Sequence, residues 1–294
     1  MNEIPDETPF VESIFHPSNF SEGSERAFEH ALALSLHRRT GLTILHAGQD
    51  VHAGSEGRGE TWAEFPSVRG TLERWGLLEK GSPRTAVSQE LSMHVKKVNI
   101  RSKNPLSAVL EYLDEHPAEL IVLATEGREG LARWIRPSTA EALARRSETM
   151  TLFVPVSSHG FVSPDDGKIT LRRILVPVDR QPDPSHAIVY AERASRMSTS
   201  VPVDIVVLHV GNVEAMPHRE MPDLPTSTWQ ELRTDGDTVG EILRVAEERE
   251  TDLIVMPTRG HHGILDAFRG SVTEQVLRRA RCPVLAVPAR AGLL

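Results

Sequence analysis

The residues with the most capacity for chemistry lie in 257–271, Pro257-Thr258-Arg259-Gly260-His261-His262-Gly263-Ile264-Leu265-Asp266-Ala267-Phe268-Arg269-Gly270-Ser271. The stretch leaves the apolar run Leu253-Ile254-Val255-Met256, short enough to be a buried strand, and ends where a helical pattern begins. A strand, a glycine-containing loop and a helix N-terminus together can hold a phosphate, because free backbone N–H groups and the positive end of the helix dipole converge there. Ser271-Val272-Thr273-Glu274 also reads as a capping box, and Ser138-Thr139-Ala140-Glu141 repeats it in the first half of the chain. The serine is therefore accounted for by capping. Gly260 and Gly270 remain as the phosphate evidence, and Pro257, which has no N–H, stands against it.

A second chemistry is open to histidines. His209 ends an apolar run, His261 and His262 lie in the loop, and Asp179 ends another run. Imidazoles and a carboxylate gathered at one sheet edge can hold zinc. Adjacent loop histidines seldom point the same way, and His46 repeats His209 in the first half, which favours histidines that bond the backbone. Cys282 is the one cysteine, so the chain has no intrachain disulfide. Set before Pro283 and an apolar run, it reads as a buried and inert thiol.

These residues need a frame, and the chain is long enough for two domains. It has 294 residues, 39% of them hydrophobic, with 33 basic against 41 acidic side chains and a formal charge of −8. That balance disfavours nucleic acid or an anionic membrane as a partner. No run approaches the length of a membrane span, and the acidic N-terminus lacks a signal-peptide core, so a cytoplasmic location is expected.

Short apolar runs alternate with helix-period segments. Ile14-Phe15-His16-Pro17 is followed by a helical face of Phe28, Ala31, Leu32 and Ser35, which Gly41 is expected to close. Leu42–Ala47, Val95–Ile100, Leu120–Leu123 and Leu152–Val156 read as further strands, the lysines of 95–100 suiting an edge. Short helices are expected at Thr71–Leu78, packing Leu72 and Trp75, after Pro105, and at 138–146. This alternation predicts parallel sheet covered on both faces.

After 157–168, which has linker composition, the pattern starts again. Ile174–Asp179 lies 160 positions after Ile14–Asn19, and Ile205–Val210 lies 163 after Leu42–Ala47. From there the offset is 133, matching Gly236–Leu243 to Lys103–Leu110, Leu253–Gly260 to Leu120–Gly127 and Val284–Pro288 to Thr151–Pro155. Such agreement marks a tandem duplication. The boundaries expected are 1–158 for the first repeat, 159–170 for the linker and 171–294 for the second repeat. The second copy is 30 residues shorter between its second and third strands, where the crossover 211–227 carries Pro217, Pro222 and Pro225. A crossover without a full helix leaves a sheet face bare. The two halves, or a second subunit in a homodimer, are expected to cover it.

In these features the chain resembles the universal stress protein family in its tandem form. Members have a strand ending in Pro-x-Asp, a Leu-His-Val strand, and a Gly-x-x-Gly loop leading to Gly-Ser or Gly-Thr. Their final strand is preceded by Cys-Pro. The counterparts here are Ile174–Asp179, Leu208-His209-Val210, 257–271 and Cys282-Pro283-Val284-Leu285. The resemblance implies an α/β fold of two tandem open five-stranded parallel sheets, each in the order 3-2-1-4-5 with helices on both faces, like the adenine nucleotide alpha hydrolases. It further implies that the two fifth strands, 152–156 and 284–288, pair within the chain as a pseudo-dimer. That order puts a ligand crevice between the first and fourth strands.

By the same resemblance ATP is the implied cofactor, with the role of Mg²⁺ left open. Asp179 and Val210 would meet the adenosine, Gly260, Gly270 and Ser271 would hold the phosphates, and Thr258 completes the set. The first repeat carries Asn19, Ala124, Gly127, Pro137 and Ser138 at the matching positions and is not expected to bind ATP. Arg259 and Arg269 could offer positive charge to a leaving phosphate, but no base accompanies them, and Walker, Gly-x-Ser-x-Gly and His-Glu-x-x-His motifs are missing. A stress-response regulatory module rather than a dedicated enzyme is expected, slow ATP hydrolysis aside. The alternative is a member that binds no nucleotide and acts through protein contacts, another small ligand or a metal at the same cleft.

Overall fold

The computed structural model describes residues 11, 13–18, 22–48, 67–125, 149–158, 160–199, 202–211, 227–259 and 272–289. Its first half runs β1 (Ser13–Pro17), α1 (Glu22–Arg38), β2 (Gly41–Gly48), α2 (Val68–Arg74), α3 (Ala86–Gln89), β3 (His94–Arg101), α4 (Pro105–Glu115), β4 (Leu120–Thr125) and β5 (Met150–Pro155). The second runs β6 (Arg173–Pro177), α5 (Ser185–Ser195), β7 (Val203–Val210), β8 (Ser227–Thr234), α6 (Thr238–Glu248), β9 (Leu253–Arg259), α7 (Val272–Arg279) and β10 (Val284–Ala289). The helix expected at 138–146 lies outside the described residues. Helix α5 was not among the expected elements; its alanines at 187, 191 and 194 are all buried.

Local sequence explains where helices start and stop, and the duplication reaches that level. Asn104 caps α4 by accepting from Ser107 N–H at 3.3 Å, with Pro105 in the first turn. Its counterpart 133 positions on, Asp237, caps α6 by accepting from Gly240 N–H at 2.7 Å. The end of α1 corrects the expectation for Gly41. Arg39 takes the left-handed conformation (φ 53°), and Thr40 N–H returns to Ser35 O at 3.0 Å. Gly41 is thereby free to open β2.

The strands form one ten-stranded sheet in the order β3-β2-β1-β4-β5-β10-β9-β6-β7-β8. Each half is a parallel 3-2-1-4-5 arrangement, as expected. The fifth strands pair within the chain, as the resemblance implied, and join the halves into one sheet: β5 and β10 run antiparallel, with Leu285 opposite Leu152, Val284 opposite Phe153 and Ala286 opposite Thr151. All six side chains are buried, so the joint is an apolar sheet interior with its backbone ladder satisfied.

Two cores flank the sheet. One, beneath α1, α2 and α5, is shared by both halves and includes Phe28, Leu152, Ile205 and Leu285. The other packs α4, α6 and α7. The segment of linker composition belongs to the first core. Phe161, Val162, Ile169 and Leu171 are buried, and an antiparallel bridge joins Val162 to Ile169. Trp75, following α2, donates from Nε1 to Pro164 O at 3.0 Å, and its ring lies against Gly167. A glycine- and serine-rich composition thus hides a packed strap, because its few apolar residues all face inward.

The shorter chain between the second and third strands of the second half goes with a difference on the first helix. In the first half the buried Glu29 of α1 receives Arg74 of α2 at 2.7 Å. The residue 160 positions on, Val189 of α5, is 43% exposed. Among the described residues no helix is long and apolar enough to cross a membrane.

Candidate functional site

The crevice of each half opens where its first and fourth strands part. In the second half the ladder between β6 and β9 holds only two residue pairs, Ile174 with Leu253 and Leu175 with Ile254. Beyond it β6 stays with β7, to which Val178 N–H is bonded through Leu208 O at 2.8 Å. Strand β9 instead follows β10, with Thr258 opposite Pro288. Strand order therefore reverses at this gap, where an open α/β sheet presents the carboxyl ends of its strands to a ligand.

Asp179 sits exposed at the end of β6, its carboxylate accepting from Arg180 N–H at 2.7 Å. Val210 is half-buried at the end of β7 and packs on the second core. Thr258 is buried near the end of β9. The fold thus brings these three to the carboxyl edge of neighbouring strands. Gly260, Gly270 and Ser271 lie outside the described residues, as do His261, His262, Asn19, Gly127, Pro137 and Ser138. Pro257 is a strand residue of β9, paired with Val287. Glu274, the acidic member of the capping box, is buried in the first turn of α7 and pairs with Arg278 at 2.5 Å.

His209 is buried, and its Nδ1–H donates to Val178 O at 3.1 Å. His46 does the same to Ser18 O at 2.9 Å. Both histidines staple the second strand to the end of the first, the backbone-bonding role expected of them. Among the described residues no group of three His, Cys, Asp or Glu side chains could hold a metal ion. Cys282 is half-buried and not fully buried as expected, because it lies at the margin of the second core. Desolvation, with the nearby Asp252, still pushes its thiol up to about 12, which disfavours the reactive thiolate.

The first half differs at a residue that sequence reading passed over. His16 follows the two-pair ladder of β1 and β4, where Val176 stands in the second half. Its Nδ1–H donates to Val122 O on β4 at 3.0 Å, and Nε2 accepts from Ser24 on α1 at 3.3 Å. The imidazole is fully buried, and that burial lowers its pKa to about 4, so it is neutral. His16 thus ties the parting strands together from inside. The signal was available in the 160-position alignment of His16 with Val176, but it was masked by reading 14–17 as one apolar run.

An α/β protein whose continuous sheet repeats a 3-2-1-4-5 order, with a crevice at each strand reversal, has the fold of the adenine nucleotide alpha hydrolase group. Comparison with known proteins is more specific: residues 12–155 and 226–288 match the Universal stress protein family. The chain belongs to that family. A universal stress protein of Mycobacterium tuberculosis is 25% identical over 283 residues, covering 84% of this chain and 87% of its own. One from Methanocaldococcus jannaschii is 45% identical over 53 residues, 18% of this chain and 31% of its own. Among solved structures, a universal stress protein from Archaeoglobus fulgidus superposes with a TM-score of 0.59 at 15% identity, covering 95% of this chain and 99% of the other.

Proposed function

We propose that this stress-response protein is a cytoplasmic regulatory module that binds ATP in the crevice of its second half and carries a structural first half. The observation supporting this reading is the contrast between the two crevices. The second has the carboxylate of Asp179 exposed at its lip and the aliphatic Val176 at its base. In the first, the imidazole of His16 occupies that place and bridges β1 to Val122 of β4 and Ser24 of α1. Asp179 suits a ribose hydroxyl, which donates to a carboxylate, and Val210 offers an apolar contact to a base. Gly260, Gly270 and Ser271 complete the proposed site from the loop, and Thr258 supports its start. Among the described residues no general base is identifiable beside them, and the site is read as a sensor and not as a dedicated hydrolase. The protein is further read as a homodimer.

Calorimetric titration of the purified chain with ATP, with and without Mg²⁺, tests this reading. Saturable binding that is lost in Gly270→Pro supports it. No binding by the unaltered chain removes it, and equal binding by both chains moves the site elsewhere.

One observation favours a second reading. Pro257 lies within β9, at the position of the family's first loop glycine, and supplies no N–H. A chain that binds no ATP would then act through protein contacts or another small ligand at the same cleft.

A further inference from the structure

The antiparallel joint of β5 and β10 consumes both fifth-strand edges within one chain. Among the described residues the sheet therefore ends at β3 on one side and β8 on the other. Exposed strand edges are templates for pairing with another chain.

The two edges differ. Strand β3, His94-Val95-Lys96-Lys97-Val98-Asn99-Ile100-Arg101, carries basic side chains and no acidic one, so self-pairing sets like charges together. Strand β8, Ser227-Thr228-Trp229-Gln230-Glu231-Leu232-Arg233-Thr234, has no lysine and no proline and carries one charge of each sign.

Backbone direction limits how β8 can pair. Thr234 O accepts from Gly211 N–H at 2.8 Å, beyond the end of β7. Thr234, and by alternation Leu232, Gln230 and Thr228, therefore aim their backbone groups at β7. Ser227, Trp229, Glu231 and Arg233 aim theirs outward. An antiparallel partner must set its own outward residues against these. Glu231 and Arg233 share one face, with side chains 39% and 46% exposed and 3.7 Å apart.

We propose that two copies of this chain pair antiparallel through β8 about a two-fold axis at Leu232, with Glu231 of each copy opposite Arg233 of the other. This rests on the homodimer reading above and supplies its surface. Symmetry makes the charge match twice, and Leu232 meets its own copy at the close, non-hydrogen-bonded position on the axis. Shifting the register so that Glu231 faces itself keeps the backbone match but opposes like charges.

Sedimentation velocity of the full chain over a wide concentration range tests the proposal, with circular dichroism to verify folding of each variant. A reversible monomer–dimer equilibrium is expected. Either Glu231→Arg or Arg233→Glu alone should weaken it about tenfold or more, since each replaces two attractive cross-strand pairs by repulsive ones. The double reversal E231R with R233E should restore it. A chain that stays monomeric overturns both this surface and the homodimer reading. A dimer indifferent to the single reversals keeps the homodimer reading and overturns the β8 contact. Growth beyond dimers shows head-to-tail pairing and also overturns it.

Discussion

His30 on α1 accepts a hydrogen bond from Phe161 N–H at 3.1 Å, 131 positions further along the chain. Its Nδ1–H is committed to Arg26 O at 2.7 Å, and the ring meets Phe161 edge-on at 4.8 Å. Only the neutral imidazole can make this bond, because protonation would set Nε2–H against another N–H. One α1 side chain thus holds the strap that leads from the first repeat to the second.

The first prediction concerns acid. Burial lowers the pKa of both His16 and His30 from 6.5 to about 4. Between these values the unfolded chain binds protons that the folded chain does not. The stability is therefore complete above pH 6.5 and is lost as the pH falls toward 4, by about 3 kcal/mol for each histidine. Urea unfolding measured across this window should show the fall. His16→Val, which copies the second half, should make it shallower, and an unchanged slope would refute the assignment.

Gly160 has φ of 68°, and a Cβ there would lie 2.2 Å from His30 Cε1. Gly160→Ala therefore meets both backbone strain and a ring that is bonded on both sides, and should destabilise by about 2 kcal/mol or more. Gly76→Ala is the control: φ is 70° but the space around it is open, so only the conformational cost of about 1 kcal/mol applies. Denaturant midpoints should separate the two, with the strap more open to protease in Gly160→Ala.

Leu152 and Leu285 face each other across the β5–β10 joint and are buried. Leu152→Ala should cost about 2–5 kcal/mol. Because both leucines belong to the core shared by the halves, scanning calorimetry should show a single transition moving down as a whole. A second transition that stays in place would mean that the halves unfold independently.

Nucleotide stoichiometry follows from the unequal crevices. Where ATP binds, equilibrium dialysis should return about one nucleotide per chain, since His16 bridges the parting strands of the first half and the aliphatic Val176 at the matching position cannot. Two per chain would show that the first repeat is also a site. Asp179→Ala should lower affinity about tenfold or more if its carboxylate holds a hydroxyl, with the fold unchanged because its side chain is exposed.

Cys282, with its thiol pushed up to about 12, should resist alkylation in the folded chain. At pH 8 only about one thiol in ten thousand would be ionised. Labelling should become fast in denaturant. Fast labelling of the native chain would contradict the raised thiol pKa.

Much of this was legible in residue order. Strands such as Leu120–Thr125 and Leu253–Arg259 are short apolar runs bounded by turn residues, and the repeats sit at constant offsets that carry even the caps Asn104 and Asp237. Those signals are local, so a one-dimensional reading finds them. The end of α1 was misread because Arg39 adopts a conformation that glycine usually supplies. The packing of residues 160–171 was not legible, because composition does not reveal which side chains turn inward.

By itself, then, the sequence determined the alternation, the duplication and the residue types at the carboxyl ends of the strands, Asp179 and Val210 among them. Tertiary structure alone decided three things. The register in which the fifth strands pair, Leu152 opposite Leu285, was set by contacts more than a hundred residues apart, although the pairing itself was implied by the family resemblance. His16 ties one crevice because its partners, Val122 and Ser24, come from another strand and from a helix. And among the described residues β8 is left as an edge whose outward backbone groups are fixed by its bond to Gly211, a direction that pairing with β7 sets.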